Sequence, residues 1–183
     1  MDSQLDKLTK LVSDLLDISR MQTGHLGLQR EPSYLDELVS EIVENMQATT
    51  TTHRLLLEGK SEARVLGDKD RLGQVFINVL ANAIKYSPQA DRVVVELARD
   101  EKYAVVRVRD FGIGIDLVHQ HKIFERFYQV TDPQEKTYPG LGIGLYICKQ
   151  IIERHDGRIE VHSRKGEGST FSITLPLLLE DIA

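Results

Sequence analysis

A chain of 183 residues, 41% hydrophobic and 28% charged, is long enough for one well-packed domain with a small appendage. Its net charge of −5, with no sustained Lys/Arg stripe, argues against nucleic acid as the main partner. No run approaches the roughly 20 apolar residues of a membrane span, and the N-terminus lacks the apolar block of a signal peptide. We therefore expect a cytoplasmic chain without membrane contact, whose single cysteine, Cys148, is a buried structural thiol.

The first predicted element is an amphipathic helix over residues 4–22. Its apolar side chains recur at spacings of three and four and would face water without a partner helix: Leu5, Leu8, Leu11, Val12, Leu15, Leu16 and Ile18. Glycines and a proline then predict a short linker, 28–32. A second helix over 33–46, opened by a capping box from Ser33 to Asp36, begins what we take to be a new domain.

The rest of the chain mixes strands and helices. Short strands are predicted at 54–58 and 63–67, a third helix from about Asp68 to Asp70 onward, and a hairpin-like strand pair at 92–100 and 103–110. A helix over 142–155 and strands at 157–163 and 169–177 follow. Because strands and helices do not alternate strictly, we predict an α+β fold, a two-layer sandwich of one mixed β-sheet with helices on one face.

The third helix has an apolar back and an amide-rich front. Its front carries Arg71, Gln74, Asn78, Asn82 and Lys85. Asn is a poor helix former, so two of them at i and i+4 indicate either a functional site or a solvated polar face. An Asn carbonyl can ligate Mg²⁺ without adding charge, Lys85 could meet a phosphate, and Tyr86 offers a ring.

Two glycine-alternating segments follow, "DFGIGI" at 110–115 and "GLGIGL" at 140–145. Gly112 and Gly114 come directly after a strand ending at Asp110, where missing side chains let a ligand approach the backbone. The glycines of the second segment precede a helix, so their N–H groups and the helix N-terminus predict a phosphate cradle. Neither segment matches the dinucleotide fingerprint or the P-loop.

The order of these motifs resembles the catalytic and ATP-binding domain of sensor histidine kinases, within the superfamily of DNA gyrase, Hsp90 and MutL. Five blocks match in the family's order: 70–88 (the N box), 108–115 (first G box), 123–130 (F box), 140–163 (second G box) and 166–177 (last strand). The resemblance implies a Bergerat-type ATP-binding fold over residues 33–183. It also implies that residues 1–27 are the incomplete second helix of a dimerisation hairpin.

The resemblance also implies roles for single residues. Asn78, Asn82 and Lys85 would be catalytic, with Asn82 holding Mg²⁺ and Lys85 contacting phosphate. Tyr86 would lie beside the adenine, and Asp110 would accept a hydrogen bond from its amino group, giving ATP preference over GTP. The remaining implied nucleotide contacts are Gly112, Gly114, Ile115, Tyr128, Gly140, Leu141, Gly142, Ile143, Gly144, Leu145 and Thr170.

Several positions depart from the family's pattern. Phe111 replaces an asparagine, Gln129 stands where an arginine often occurs, and Leu141 replaces a Thr or Ser. The segment 128–139 is implied to be a lid over the nucleotide, hinged at Phe124 and Phe127.

The resemblance implies a protein-histidine kinase that uses ATP and Mg²⁺ and passes the phosphoryl group to a response regulator. None of the six histidines stands in the family's phosphoacceptor motif, so we expect the chain to be a piece of a longer, homodimeric kinase, anchored in a membrane or not. Asn78 stands where gyrase-type ATPases carry a water-orienting glutamate, which favours transfer over hydrolysis. The alternatives are an ATP-sensing module, a serine-directed kinase of the anti-sigma type, or a structural dimerisation domain.

Overall fold

The computed structural model describes residues 2–22, 27–130 and 140–178. The helices are α1 (Asp2–Gln22), α2 (Leu35–Thr49), α3 (Lys69–Lys85), the short α4 (Leu117–Gln120) and α5 (Gly144–Glu153), with a 3-10 turn at Lys122–Phe124. The strands are β1 (Glu31–Tyr34), β2 (Arg54–Gly59), β3 (Arg64–Gly67), β4 (Arg92–Arg99), β5 (Tyr103–Arg109), β6 (Arg158–Arg164) and β7 (Gly168–Pro176).

The main sheet has five strands in the order β2-β4-β5-β7-β6. The β2–β4 pair is parallel and the other pairs are antiparallel, so the sheet is mixed. Alternate residues of β4, β5 and β7 are buried, as in Val93, Val95 and Leu97 of β4. The buried face of the sheet packs against α2, α3 and α5 in one core. The predicted α+β sandwich is confirmed.

The local predictions for α3 and α5 also hold in their main features. Asp68 caps α3 by accepting the Arg71 backbone N–H at 3.1 Å, and the helix buries its predicted apolar back. Cys148 is fully buried in α5, as expected of a structural thiol. The helix predicted over 142–155 is shorter, because it begins at Gly144 and ends at Glu153.

The start of the second helix was predicted incorrectly. Ser33 is not a cap but lies in β1, which pairs antiparallel with β3 and takes in part of the predicted linker. Helix α2 begins at Leu35, after Tyr34, and the Asp36 carboxylate instead accepts the backbone N–H groups of Ser61 (2.9 Å) and Glu62 (3.0 Å). The capping pattern failed because strand pairing removed Ser33 from the helix end.

Helix α1 lies on the domain through its polar side. Asp14, Asp17 and Ile18 are buried, and Ile18 joins the core, which corrects the expectation that it would face water. The rest of the predicted apolar stripe is half-buried at Leu11 and 48–61% exposed at Leu5, Leu8, Val12, Leu15 and Leu16. Within the described ranges, no helix has the length and apolar character needed to cross a membrane.

Candidate nucleotide-binding site

The second half of α3 is the place where the predicted motifs meet. A methyl group on Gly144 would lie 3.5 Å from Asn78 Oδ1, and one on Gly140 would lie 3.4 Å from Lys85 Nζ. Both ends of the second glycine segment therefore face the polar side of α3. Asn78 is buried, whereas Lys85 is half-buried and its ammonium contacts the Tyr86 hydroxyl at 3.1 Å.

The first glycine segment is held against the C-terminal end of the same helix. The Tyr86 carbonyl accepts the Ile113 N–H at 3.1 Å, and a side chain on Gly112 would overlap that carbonyl oxygen. Gly112 is therefore required by backbone packing between the loop and α3. Its predicted role in letting a base approach stays a prediction.

Asp110 is the buried carboxylate at the end of β5, with 3% of its surface exposed. Its Oδ1 accepts the backbone N–H groups of Gly112 at 2.9 Å and Ser169 at 3.3 Å, while Oδ2 accepts no hydrogen bond from the part of the chain that the structure describes. Burial raises the pKa of Asp110, and the two backbone donors oppose that shift in part. The arrangement fixes one oxygen and leaves the other able to accept a donor.

Residues that the sequence did not single out support the first glycine segment. Ser163 Oγ accepts the Ile115 N–H at 2.8 Å and donates to the Gly168 carbonyl at 2.8 Å. Gln120 donates to the carbonyls of both Ile115 (2.9 Å) and Ser163 (2.7 Å). These polar residues hold the loop from α4 and β6, and no local pattern marks them.

The second glycine segment is held by the residues just after the 3-10 turn. The Gly142 carbonyl accepts the Phe127 N–H at 2.9 Å, and Gly142 has a φ of +66°. A side chain on Gly142 would overlap the Tyr128 carbonyl oxygen, so glycine is required there. Gln129 donates to the Gly140 carbonyl, which ties this departure from the family's pattern to the segment itself.

The two phenylalanines of the predicted lid hinge differ in environment. Phe124 is buried and packs edge-on against Phe171, with ring centroids 6.4 Å apart, as a core residue does. Phe127 is 55% exposed and adopts a φ of +64°, which is rare outside glycine. The Tyr128 hydroxyl contacts His119 Nδ1 at 2.6 Å. Most of the predicted lid, 131–139, lies outside the described residues.

The residue at the N-cap position of α5 does not cap the helix with its side chain. The preceding residue, Ile143, is buried and offers no side-chain hydrogen bond to the first turn. Leu141 is 43% exposed, and Leu145 is partly buried against the core. The first-turn N–H groups of a helix attract anions when no side chain satisfies them, so this end of α5 suits a phosphate group.

Asn82 also has the environment expected of a ligand-binding residue. It lies one turn beyond Asn78, is half-buried, and its side-chain amide makes no hydrogen bond within the described ranges. No group of three or more His, Cys, Asp or Glu among the described residues could hold a metal by itself. A cation at Asn82 would therefore need oxygen ligands from elsewhere, such as phosphates.

Thr170 and the first half of α3 lie apart from the place where the two glycine segments meet α3. Thr170 is in register with Arg109 and His162 and lies on the face of the sheet opposite Phe171. The residue of β7 that contacts Asp110 is the neighbouring Ser169, through its backbone N–H. In the first half of α3, Arg71 and Gln74 each bind the Asp17 carboxylate of α1 at 2.9 Å. The amide-rich front of α3 is thus divided between α1 and the glycine segments.

Gly114, in the first glycine segment, lies against the Arg164 carbonyl with a φ of +66°.

Comparisons with known proteins agree with this geometry. The family described as histidine kinase-, DNA gyrase B-, and HSP90-like ATPase matches residues 67–179. The histidine kinase CikA of Synechococcus elongatus is 34% identical over 93% of this chain and 23% of its own length. The sensor-like histidine kinase SenX3 of Mycobacterium tuberculosis is 34% identical over 97% of this chain and 44% of its own length. The chain thus spans less than half of these relatives.

Solved structures give the same result. The mycobacterial sensor histidine kinase MprB has a TM-score of 0.70 at 31% identity, covering 81% of this chain and 97% of that chain. Full-length ShkA, solved in complex with AMPPNP, has a TM-score of 0.81 at 26% identity, covering 94% of this chain and 36% of that chain.

Proposed function

Because the chain belongs to the family of histidine kinase-, DNA gyrase B- and HSP90-like ATPases, we propose that it is the ATP-binding catalytic part of a protein-histidine kinase in a two-component signalling system. The observation that carries the proposal is the meeting of both glycine segments on the second half of α3, through Asn78, Lys85 and Tyr86. That surface combines amides, an ammonium and an uncapped helix N-terminus, which together suit a nucleotide and its phosphates.

Asp110 is the proposed base-recognition residue. Its Oδ2 would accept the amino group of adenine, while Oδ1 stays bound to Gly112 and Ser169. Guanine carries a carbonyl at the equivalent position and would place two acceptors together, so we expect ATP to be preferred over GTP. Ile115 and Tyr86 would line the base, and Thr170 would act only at the margin of the site.

The phosphates are assigned to the second glycine segment and the first turn of α5. Gly140, Gly142 and Gly144 present backbone there, and Lys85 lies next to Gly140. Asn82 would hold Mg²⁺ together with phosphate oxygens, because an amide carbonyl is a suitable hard ligand. When bound, the metal would supply neutralisation of the charge on the phosphates.

Asn78 decides between transfer and hydrolysis in this proposal. An amide cannot take a proton from water, and Asp68, before the first turn of α3, is engaged with the backbone N–H groups of Gln29 and Arg71. The site would therefore hold ATP until an external nucleophile arrives. We assign that role to a histidine outside this chain, with in-line transfer aided by alignment and electrostatics.

Helix α1 is proposed to be the second helix of the dimerisation hairpin. Its exposed stripe, from Leu5 to Leu16, would pack against the first hairpin helix and a second copy in the complete homodimer. Phosphoryl groups would pass from the hairpin histidine to an aspartate of a response regulator. A kinase that uses ATP works where ATP is present, so we assign the chain to the cytoplasm.

Phosphoryl transfer to a supplied hairpin tests the proposal. The chain is mixed with Mg²⁺, γ-labelled ATP and a separate hairpin bearing the phosphoacceptor histidine, and labelling should rise with hairpin concentration. The product should be acid-labile and base-stable, as a phosphoramidate is. Asn82→Ala should abolish labelling, whereas Gln74→Ala, on the same helix face but bonded to Asp17, should retain it.

Three outcomes separate the alternatives. An acid-stable product would favour a serine-directed kinase, and strong self-labelling of the chain alone would contradict the assignment. ATP binding with no labelling at any hairpin concentration would favour an ATP-sensing module.

A further inference from the structure

Phe111, the departure that follows Asp110, lies between two arginines on the face of the sheet opposite the helices. The guanidinium carbons of Arg92 and Arg109 are each 4.8 Å from the centroid of its ring. Both arginines are exposed and Phe111 is half-buried. Neither arginine forms an ion pair within the described part of the chain. Nucleotide binding, as proposed above, uses none of the three side chains.

A third arginine extends this cluster. Arg54 of β2 stands directly opposite Arg92 of β4, and Arg109 of β5 lies diagonally beyond, opposite Val94. Directly opposed residues share a face of the sheet, so three guanidinium groups from adjacent strands lie on one surface. Like charges directly opposite each other on neighbouring strands are destabilising. Arg54 also has no ion pair within the described ranges.

Other arginines on the same face of the sheet are neutralised. Arg107 pairs with Glu96 at 3.3 Å, and Arg158 pairs with Glu160 at 3.2 Å. In the middle of this face the arginines are paired with glutamates, whereas at the end beside Phe111 the positive charge of Arg54, Arg92 and Arg109 is unpaired within the described residues. An exposed cluster of unbalanced positive charge attracts anionic groups, so an anionic partner would bind favourably here.

We propose that Arg54, Arg92 and Arg109, of which Arg92 and Arg109 lie over the ring of Phe111, form a docking site for an acidic segment of another protein. Stacking on an aromatic ring holds a guanidinium in one plane and leaves its N–H edges available for carboxylates. A membrane surface commonly needs four to eight basic residues, and nucleic acid needs a broad basic surface. Three arginines on a chain of net charge −5 suit a short run of Asp and Glu instead.

This surface lies on the face of the sheet away from the nucleotide contacts proposed on α3, although Thr170, at the margin of the proposed site, stands opposite Arg109 on the same face. Helices α2, α3 and α5 cover the other face of the sheet, and the glycine segments meet on α3. An occupant on the arginine cluster would leave that side open. The inference therefore goes beyond the proposed kinase function, and nucleotide binding can be measured separately in every variant.

Binding of a fluorescein-labelled oligo-glutamate peptide, followed by anisotropy at roughly 0.15 M salt, tests the proposal. Arg92→Gln/Arg109→Gln should weaken binding by about tenfold, because two exposed charge pairs are lost. The matched control is Arg107→Gln/Arg158→Gln, which makes the same change in net charge on the same face but removes arginines that are already paired. It should change the affinity less than about twofold.

One result supports the docking site and three would overturn it. Selective loss of peptide binding in the Arg92/Arg109 variant, with an unfolding midpoint no lower than that of the parent chain, supports the site. Equal loss in both double variants, or no binding of the peptide by the parent chain, overturns it. Stronger, equally arginine-dependent binding of phosphatidylserine vesicles or of an RNA oligonucleotide would also overturn the assignment to an acidic protein segment.

Discussion

Replacing Asp17 should release α1 from α3 without unfolding the rest of the domain. The Asp17 carboxylate is 4% exposed, and its two oxygens bind Arg71 Nη1 and Gln74 Nε2, each at 2.9 Å. Of the α1 side chains whose burial is described, Ile18 is the one hydrophobic side chain that is buried. The polar contacts of Asp17 are therefore expected to supply much of the docking free energy.

The free energy of docking lost in Asp17→Ala depends on how well water replaces the lost hydrogen bonds of Arg71 and Gln74 once α1 moves away. A hydrogen bond to a charged group contributes about 1.5–3 kcal/mol when it is removed within a folded structure. The Arg71 side chain is 22% exposed and, like that of Gln74, can be hydrated once α1 moves away, so the loss lies toward the lower end. We expect Asp17→Ala to weaken docking by about 2 kcal/mol, or about 30-fold.

Hydrogen exchange of the α1 amides, measured in a double-mutant cycle with Arg71→Ala, checks this value. Exchange should accelerate in either single variant, and the double variant should exchange little faster than Asp17→Ala alone. Because Gln74 supplies the second bond to Asp17, the Asp17–Arg71 coupling should be about 1 kcal/mol. Ser13→Ala, at an exposed position of α1, controls for the gain in helix propensity. Parent-like exchange in Asp17→Ala, or a coupling below about 0.5 kcal/mol, would refute the reasoning.

The remaining predictions concern packing and pH. Gly142→Ala should lower the unfolding free energy by about 1–3 kcal/mol and weaken nucleotide binding, because its φ of +66° and the nearby Tyr128 carbonyl exclude a side chain; a parent-like denaturation midpoint would contradict this. Gly73→Ala should instead stabilise the chain by up to about 1 kcal/mol, since a methyl group at this α3 position would meet only Ile42 Cδ1 of α2, at an ordinary contact distance of 3.7 Å. A lower unfolding midpoint would count against this prediction. Burial lowers the pKa of His155, whose Nε2 accepts the Asp68 N–H at 2.9 Å. The unfolded chain therefore takes up a proton at a higher pH than the folded chain does. The stability contributed by neutral His155 should be full above about pH 6.5 and should be lost as the pH falls toward the lower pKa of the folded state. His155→Gln should flatten that pH dependence in denaturant titrations, and an equal slope in both proteins would show that His155 is not responsible.

Local periodicity was enough to predict the elements that form the core. The apolar back of α3 and the alternation in β4 and β5 depend on neighbouring residues, so the sequence alone indicates them. Strand β1 escaped prediction because its four residues gain their structure from pairing with β3, which is distant in the chain. The same pairing explains why a plausible capping box at Ser33 was misleading.

The site divides in a similar way. Asn78 and the glycines stand in compact motifs, so residue type and spacing marked them as candidates, whereas the family resemblance made Asp110 a candidate. Ser163 acts through hydrogen bonds of its hydroxyl to Ile115 and Gly168, and Ser169 through its backbone N–H to Asp110. Such contacts between distant parts of the chain leave no local pattern. Periodicity also places Arg71 and Gln74 on the same polar face as Asn78, but it cannot show that α1 covers the first half of that face.

The measurement that most directly tests whether Asp110 and α3 form one ATP site is calorimetric titration of the nucleotides. MgATP should bind the parent chain at least about tenfold more tightly than MgGTP, because the free oxygen of Asp110 suits the amino group of adenine. Asp110→Asn should remove most of that preference, since an amide can also donate to the guanine carbonyl, and Asn82→Ala should remove the Mg²⁺ dependence of ATP binding. Equal affinities for ATP and GTP in the parent chain, or an undiminished ATP preference in Asp110→Asn, would contradict the assignment.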